Sequence, residues 1–313
     1  MRARTCLGAA GLALLTALSF DAAPAAAWTR PGHMVIAAIA FDALEVRDPA
    51  VIDRVVAVLD SHPDRGAFEV AEDRSEGRER ALRLMMECAR WPDDARLTGY
   101  DQPSWHLELK PIVRTEDPPA NAPAPDVAMD GVEAFALNAR VMANRAATPA
   151  QRAVALCWVM HLAGDVHQPL HTAQLFSSQY PESDKAGSQQ FVIDPVTGRP
   201  ETLHWFWDDA VHRAGDIGSV RARAIELERR LPRTVLAPGV AHAVAANYSD
   251  WAEESRALAA SRVYASGPVG GPSAKQAKAL PPGYAEEAAA VAEARAALAG
   301  YRLSDLLREA FDR

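Results

Sequence analysis

Residues 161–171 read His161-Leu162-Ala163-Gly164-Asp165-Val166-His167-Gln168-Pro169-Leu170-His171. Three imidazoles and one carboxylate fall in this stretch, at the end of an apolar run carrying Val154, Leu156, Trp158, Val159 and Leu162. The start of the run is marked. Thr148 suits an N-cap, Pro149 the first helical position, and Gln151 closes a capping box. A helix so poor in charge is a buried one. His161 and Asp165 stand one turn apart and project from the same face. Gly164 and Pro169 end the regular helix and turn the chain, which can bring His171 back toward that face. A carboxylate in such apolar surroundings needs a cation. No Lys or Arg stands between Arg152 and Lys185, so a metal ion is the partner this segment asks for. A lone His-x-x-x-Asp would serve equally well as a hydrogen-bonded core pair, but the longer string is more specific.

The chain has 313 residues. Its first 27 have the layout of a secretory signal peptide: Arg2 and Arg4, an apolar run from Leu7 to Phe20, and Ala25-Ala26-Ala27 before a cleavage point. Cleavage there makes Trp28 the new N-terminus and places the protein outside the cytoplasm, secreted or periplasmic, with no stable membrane insertion. The remainder, residues 28–313, is long enough for one large or two small cores. Abundant alanine, 7% aromatics and few alternating stretches point to an all-α fold. Cys6 leaves with the signal; Cys88 and Cys157 are open to pairing in an oxidising compartment or to burial as free thiols. The formal charge is −8. By charge alone this is not an obvious nucleic-acid binder, although bound divalent ions would reverse the local sign.

Helical spacing predicts a first helix after Trp28-Thr-Arg-Pro-Gly-His33 and a second from Asp48-Pro49 to about Leu59. A third runs over about 76–90 and breaks at Pro92, and a fourth lies near 128–144. Residues 60–76 read as a charged loop, 111–125 as a Pro/Ala-rich loop, and 172–202 as irregular with a small hairpin near 191–199. A helix then starts at Thr202, two or three more fill 217–265, a Gly/Pro linker covers 266–282, and the last helices span 283–312. His167 lies outside the ligand spacing and suits a supporting role, whereas His62, His212 and His242 read as surface residues.

Taken in order, the candidate metal ligands are the Trp28 amine, His33, Asp93, His106, His161, Asp165, His171, His204 and Asp208. Nitrogen and oxygen donors without thiolate suit zinc, and a zinc site uses only three or four of them, so more than one ion is implied. Asp94 competes with Asp93, and Asp209 with Asp208; spacing favours the first of each pair. Trp28 can also be read as terminal packing, and His204 as a core histidine.

The same segments resemble the zinc-dependent single-strand nucleases of fungi and plants, the S1/P1 nuclease family. The resemblance rests on Trp28-x-x-x-Gly-His33, Trp91-x-Asp93-x-x-Arg96, His106, His161-x-x-Gly-Asp165-x-x-Gln-Pro-Leu-His171 and Leu203-His204-x-x-x-Asp208. Two plainer segments, Trp251-Ala-Glu-Glu-Ser255 and Gly300-Tyr-Arg-Leu303, extend it to the C-terminal end. It implies one mostly helical domain, of the kind shared with zinc-dependent phospholipase C, with a cleft holding three zinc ions. Asp93, His106, His161 and Asp165 would hold the first ion, and His171, His204 and Asp208 the second. The amine and carbonyl of Trp28 would join His33 and Asp165 at the third, so that Asp165 bridges two ions. Two zincs sharing a carboxylate can hold a hydroxide and lower its pKa. Asp93 and Asp165 are thereby catalytic as well as ligating, and Arg96 would neutralise charge on the phosphoryl oxygens.

The activity implied is hydrolysis of single-stranded RNA and DNA to 5′-phosphorylated products by a monomeric endonuclease, with 3′-nucleotidase action alongside it. A phospholipase C-like phosphodiesterase and a non-catalytic zinc-binding protein are the two alternatives. The chain departs from the fungal pattern at His106-Leu107-Glu108-Leu109, which lacks an aromatic after the histidine, and at Ala186-Gly187-Ser188. Both changes fall where a nucleobase would stack or hydrogen-bond.

Overall fold

A computed structural model of the chain describes residues 28–68, 75–114, 116–120, 130–236 and 247–312. The signal segment expected over 1–27 lies outside the described residues. Among those described, the fold is mostly helical: α1 (Arg30–Arg47), α2 (Pro49–Leu59), α3 (Gly77–Asp94), α4 (Gly131–Ala143), α5 (Pro149–Asp165), α6 (Leu203–Asp208), α7 (Ile217–Arg230), α8 (Arg233–Leu236), α9 (Tyr248–Leu258) and α10 (Tyr284–Phe311).

The helix that carries the histidine string is the centre. Thr148 and Gln151 form the expected capping box at the start of α5, each side chain bonding the other's backbone N–H at 3.2 and 3.0 Å. From Ala155 onward α5 is buried on every side, packed against α3, α4 and α10. A helix without an exposed face has no amphipathic signature, which is why its apolar run is continuous. α1 packs in turn on α3 and α10. Its approach to α10 is close: a Cβ added at Gly300 would lie 2.6 Å from Cγ2 of Ile39 and 3.0 Å from the carbonyl oxygen of Ile36. Cys88 on α3 and Cys157 on α5 are joined as a disulfide. Closing a loop of 69 residues stabilises the fold by about 4 kcal/mol in the chain-entropy account.

Three sequence expectations give way. α3 does not stop before Pro92 but runs through it to Asp94. Proline in the final turn forfeits one bond, to the carbonyl of Cys88, and so little of the helix is lost. The C-terminal segment is one helix of 28 residues, α10, because Gly300 is consumed in packing rather than in a turn. The stretches read as loops contain short strands. β1 (Lys110–Val113) pairs in parallel with β2 (Ala173–Phe176). β3 (Phe191–Ile193) pairs antiparallel with β4 (Pro200–Thr202), the small hairpin expected there, and in parallel with β5 (Lys278–Ala279). Strands of two to four residues are too short to show alternation.

One charge contact away from the centre has a consequence for pH. Glu228 on α7 faces Asp42 on α1, whose carboxylate is paired with Arg221. Burial, reinforced by Asp42, pushes Glu228 up to about 8. The unfolded chain loses this proton near 4.5 while the folded chain keeps it, so stability falls as pH rises from about 4.5 to about 8. Glu228→Gln is expected to remove that loss. At pH 8 the variant should be more stable than wild type, by on the order of 1 kcal/mol after solvent screening of a half-exposed group. At pH 4 the two should coincide in urea unfolding. Equal midpoints at both pH values would contradict the assignment.

Candidate metal centre

The last two turns of α5 place His161 and Asp165 on one face, as their spacing requires. Nδ1 of His161 donates to the carbonyl of Ala89 at 2.8 Å. That bond fixes the tautomer and leaves Nε2 with its lone pair turned to the cluster. Nε2 lies 2.9 Å from Nδ1 of His106, 3.3 Å from Oδ2 of Asp165 and 3.9 Å from Oδ1 of Asp93. His106 comes from a 3-10 turn, Pro103–His106, and its Nδ1 is 3.1 Å from the same Asp165 oxygen. Asp93 comes from the end of α3, so the helix's passage through Pro92 is what delivers it.

The other oxygen of Asp165 faces a different partner. Oδ1 is 3.2 Å from Nε2 of His33, whose ring stacks on His161 with centroids 3.9 Å apart. Neither atom of this close pair makes a hydrogen bond, nor does Nδ1 of His33. Trp28 is wholly buried beside them, its indole N–H donating to the carbonyl of Gly164 at 3.0 Å. The N–H of Thr29 donates to the carbonyl of Asp208 at 3.2 Å, which ties the start of the described chain to both parts of the centre.

A second cluster follows the turn after α5. Pro169–His171 forms a 3-10 turn, and Nδ1 of His171 donates to the carbonyl of His106 at 2.8 Å. Nδ1 of His204, on α6, donates to the carbonyl of Ala186 at 2.7 Å. Each imidazole therefore keeps Nε2 for the cluster, at 3.7 and 3.4 Å from the two oxygens of Asp208. Nε2 of His171 and Oδ2 of Asp208 are buried without a hydrogen-bond partner.

Among the described residues three triads result: His33, His161 and Asp165; Asp93, His106 and His161; and His171, His204 and Asp208. In each, the ligand atoms lie within 4.8 Å of one another. An unsatisfied buried polar atom costs about 1–3 kcal/mol. Nε2 of His33, Oδ1 of Asp165, Nε2 of His171 and Oδ2 of Asp208 are such atoms within the triads, whereas Nδ1 of His33 lies against Gly164. Cations at the triads would satisfy them together, so the donor set fits metal ions.

The electrostatics divide the centre. Burial works against ionisation of Asp165 and Asp93, but His161, with His106 and His33 in support, holds both carboxyls below their usual range, Asp165 well below. Burial would likewise lower His161, yet Asp165 and Asp93 overcome it and raise the imidazole to about 9. His33 falls to about 4 through burial and the charge of His161. Asp208 is pushed well above the carboxylate range by burial, which His204 and Gln168 only partly oppose.

All the ligands expected from the sequence other than the Trp28 amine converge by their side chains, and the neighbouring competitors do not. Asp94 pairs with Arg30 and Arg90, and Asp209 lies 3.7 Å from Arg213, outside the triads. Arg96 reaches Oδ1 of Asp93 at 3.3 Å, with its own side chain a quarter exposed. His167 is a brace: Nδ1 donates to the carbonyl of Ala163, and Nε2 accepts from Arg302 at 3.0 Å. Arg302 is held by Glu254 at 2.7 Å and lies 5.1 Å over the ring of Trp251. Ser255 donates to the carbonyl of Val166, next to Asp165. The two plain C-terminal segments thus meet each other beneath the end of α5.

His62 corrects the surface reading. It is buried against Phe68 and Trp91, with ring centroids 5.0 and 4.4 Å away. Apolar partners that come from beyond its own turn left no signal in its neighbours. His212 is half-buried and bonded to Ser219 at 2.8 Å, and His242 lies outside the described residues. Gln168, which is not among the expected ligands, contacts Asp208; its signal in the sequence is an amide placed within the histidine string.

Gly164 is required by His33. A Cβ there would lie 2.9 Å from Nδ1 and 3.1 Å from Cε1 of the ring, and 3.3 Å from Cδ1 of Ile36. Gly164→Ala is expected to push His33 off Asp165 and to lower turnover on the order of 100-fold, because sub-ångström placement is lost. Far-ultraviolet circular dichroism should stay that of wild type. Full activity in this variant would show that His33 tolerates displacement.

Two comparisons bear on this geometry. The S1/P1 nuclease family model matches residues 28–312, nearly the whole chain. Comparison with curated proteins gives no match.

Proposed function

The chain belongs to the S1/P1 nuclease family, metal-dependent hydrolases of phosphodiester bonds in nucleic acid, and from that membership we propose a zinc-dependent endonuclease acting on single-stranded RNA and DNA. Its products would carry 5′-phosphates, and hydrolysis of 3′-nucleotides is the accompanying activity to assay. The observation that carries the metal reading is the set of buried, unpartnered nitrogen and oxygen atoms at His33, Asp165, His171 and Asp208.

In this reading Asp93, His106, His161 and Asp165 hold one zinc, and His171, His204 and Asp208 hold a second. A third is held by His33, Asp165 and the amine and carbonyl of Trp28. When bound, the ions supply an activated water and neutralise charge on the phosphate. The protein's own part is to hold these donors in place. Backbone carbonyls of Ala89, His106 and Ala186 fix the imidazole tautomers. Arg96, anchored on Asp93, offers a guanidinium to the phosphoryl oxygens. No side chain is needed as nucleophile. Unpaired strands suit such a site because a base splayed out toward it must first leave its stack.

Export after Ala27, to a secreted or periplasmic location, agrees with the Cys88–Cys157 disulfide, since such bonds persist in oxidising compartments. No helix among the described residues is long and apolar enough to cross a membrane. The protein is proposed to act as a monomer.

The test is metal content together with turnover. Protein beginning at Trp28 should contain three zincs by elemental analysis, cleave single-stranded nucleic acid and leave 5′-phosphates. Cleavage of phosphatidylcholine alone would move the activity to phospholipids. Zinc uptake with no phosphoester turnover would leave a binding protein and overturn the nuclease proposal.

A further inference from the structure

Asp208 is the only carboxylate in its triad and is wholly buried. A carboxylate's terminal torsion is broad and roughly two-fold, so burial alone does not aim its oxygens. What aims them is Gln168, forty positions earlier in the chain: its Nε2 donates to Oδ1 of Asp208 at 2.8 Å. The opposite end of the same amide accepts the N–H of Leu170, inside the turn that presents His171. A backbone N–H can only donate, so the carbonyl of Gln168 must face Leu170 and its NH₂ must face Asp208. Nothing in this arrangement leaves the amide free to flip. With Oδ1 occupied, Oδ2 is the oxygen left without a hydrogen bond, 3.4 Å from Nε2 of His204.

We propose that Gln168 is the positioning residue of the His171–His204–Asp208 cluster, fixing through one amide both the turn that carries His171 and the carboxylate of Asp208. The proposal rests on the zinc reading of that cluster. The residue type is part of the argument. An Arg or Lys at this place would also hold Asp208, but its charge would cancel the carboxylate's attraction for a cation. An amide aims the carboxylate and leaves its charge for the ion. Because both side-chain hydrogen bonds of the buried Gln168 stay within this cluster, the side chain's influence is expected at one metal site.

Two substitutions test this. Gln168→Glu keeps the shape and the acceptor for Leu170 but removes the donor to Asp208. Gln168→Met removes both and guards against a failure of the first variant to fold. Wild type and variants, each beginning at Trp28, are equilibrated over a series of chelator-buffered free zinc concentrations, and bound zinc is counted by elemental analysis. The expected result is selective: one zinc requires about 10–100-fold more free zinc in either variant, while the remaining ions are retained at wild-type concentrations. Wild-type affinity for every ion in the variants would overturn the positioning role. So would a parallel loss of all the ions, which would mark a general structural role instead. A wild-type protein that takes up no zinc would fail the underlying reading, and that failure is visible without either variant.

Discussion

Asp165→Asn is expected to remove two zinc ions together and to lower turnover on single-stranded nucleic acid on the order of 10³-fold. The reason is the division of its oxygens. Oδ2 lies 3.1 Å from His106 and 3.3 Å from His161, while Oδ1 lies 3.2 Å from His33. An asparagine supplies one neutral oxygen to one side and turns an N–H toward the other, so whichever way it settles either His33 or the His106–His161 pair faces a donor. It also removes the charge on which His161 depends. Asp208→Asn is the control, because Asp208 belongs to one triad only. That variant should weaken one ion and keep the others. Elemental analysis of both proteins, with turnover measured in parallel, checks the difference. Loss of a single ion in each would show that Asp165 does not bridge.

Addition of one residue before Trp28 is expected to cost one zinc and at least about 100-fold in turnover. An α-amino group titrates near 7.7–8.0, so zinc can displace its proton around neutrality, whereas an amide nitrogen offers no such donor. Trp28 is well placed for this. Its side chain is buried and bonded to Gly164, the residue before Asp165, and the next residue's N–H is bonded to Asp208. An extension would keep those anchors and change the donor alone, so folding should survive. Mass spectrometry would establish the start of each form before zinc is counted. An extended protein with three zincs and an unchanged rate would remove Trp28 from the ligand set.

The convergence of the candidate ligands was far more legible than the strands. His161 and Asp165 face one another because one helical turn separates them, and the N-caps at Thr148 and Thr202 bond within three residues. Such relations depend on short stretches of chain and can be read from them. Pro169 likewise announced the turn that returns His171, although α5 continues through Gly164 to Asp165. β1 and β2, in contrast, are four residues each and are separated by the whole of α4 and α5. Their pairing is a property of where those helices put them, and no local pattern records it.

The sequence alone determined the donor types, their spacing along each helix and the buried character of α5, because these follow from residue chemistry and from a repeat of 3.6 residues. The tertiary structure decided the rest. It paired Cys88 with Cys157, carried α3 through Pro92 to bring Asp93 to the cluster, and assigned the two oxygens of Asp165 to different histidines. It also brought Gln168 to Asp208, buried His62 and joined Glu254 to Arg302 under His167. Each of these links residues from different elements, and which elements meet is settled only when their apolar faces are packed together.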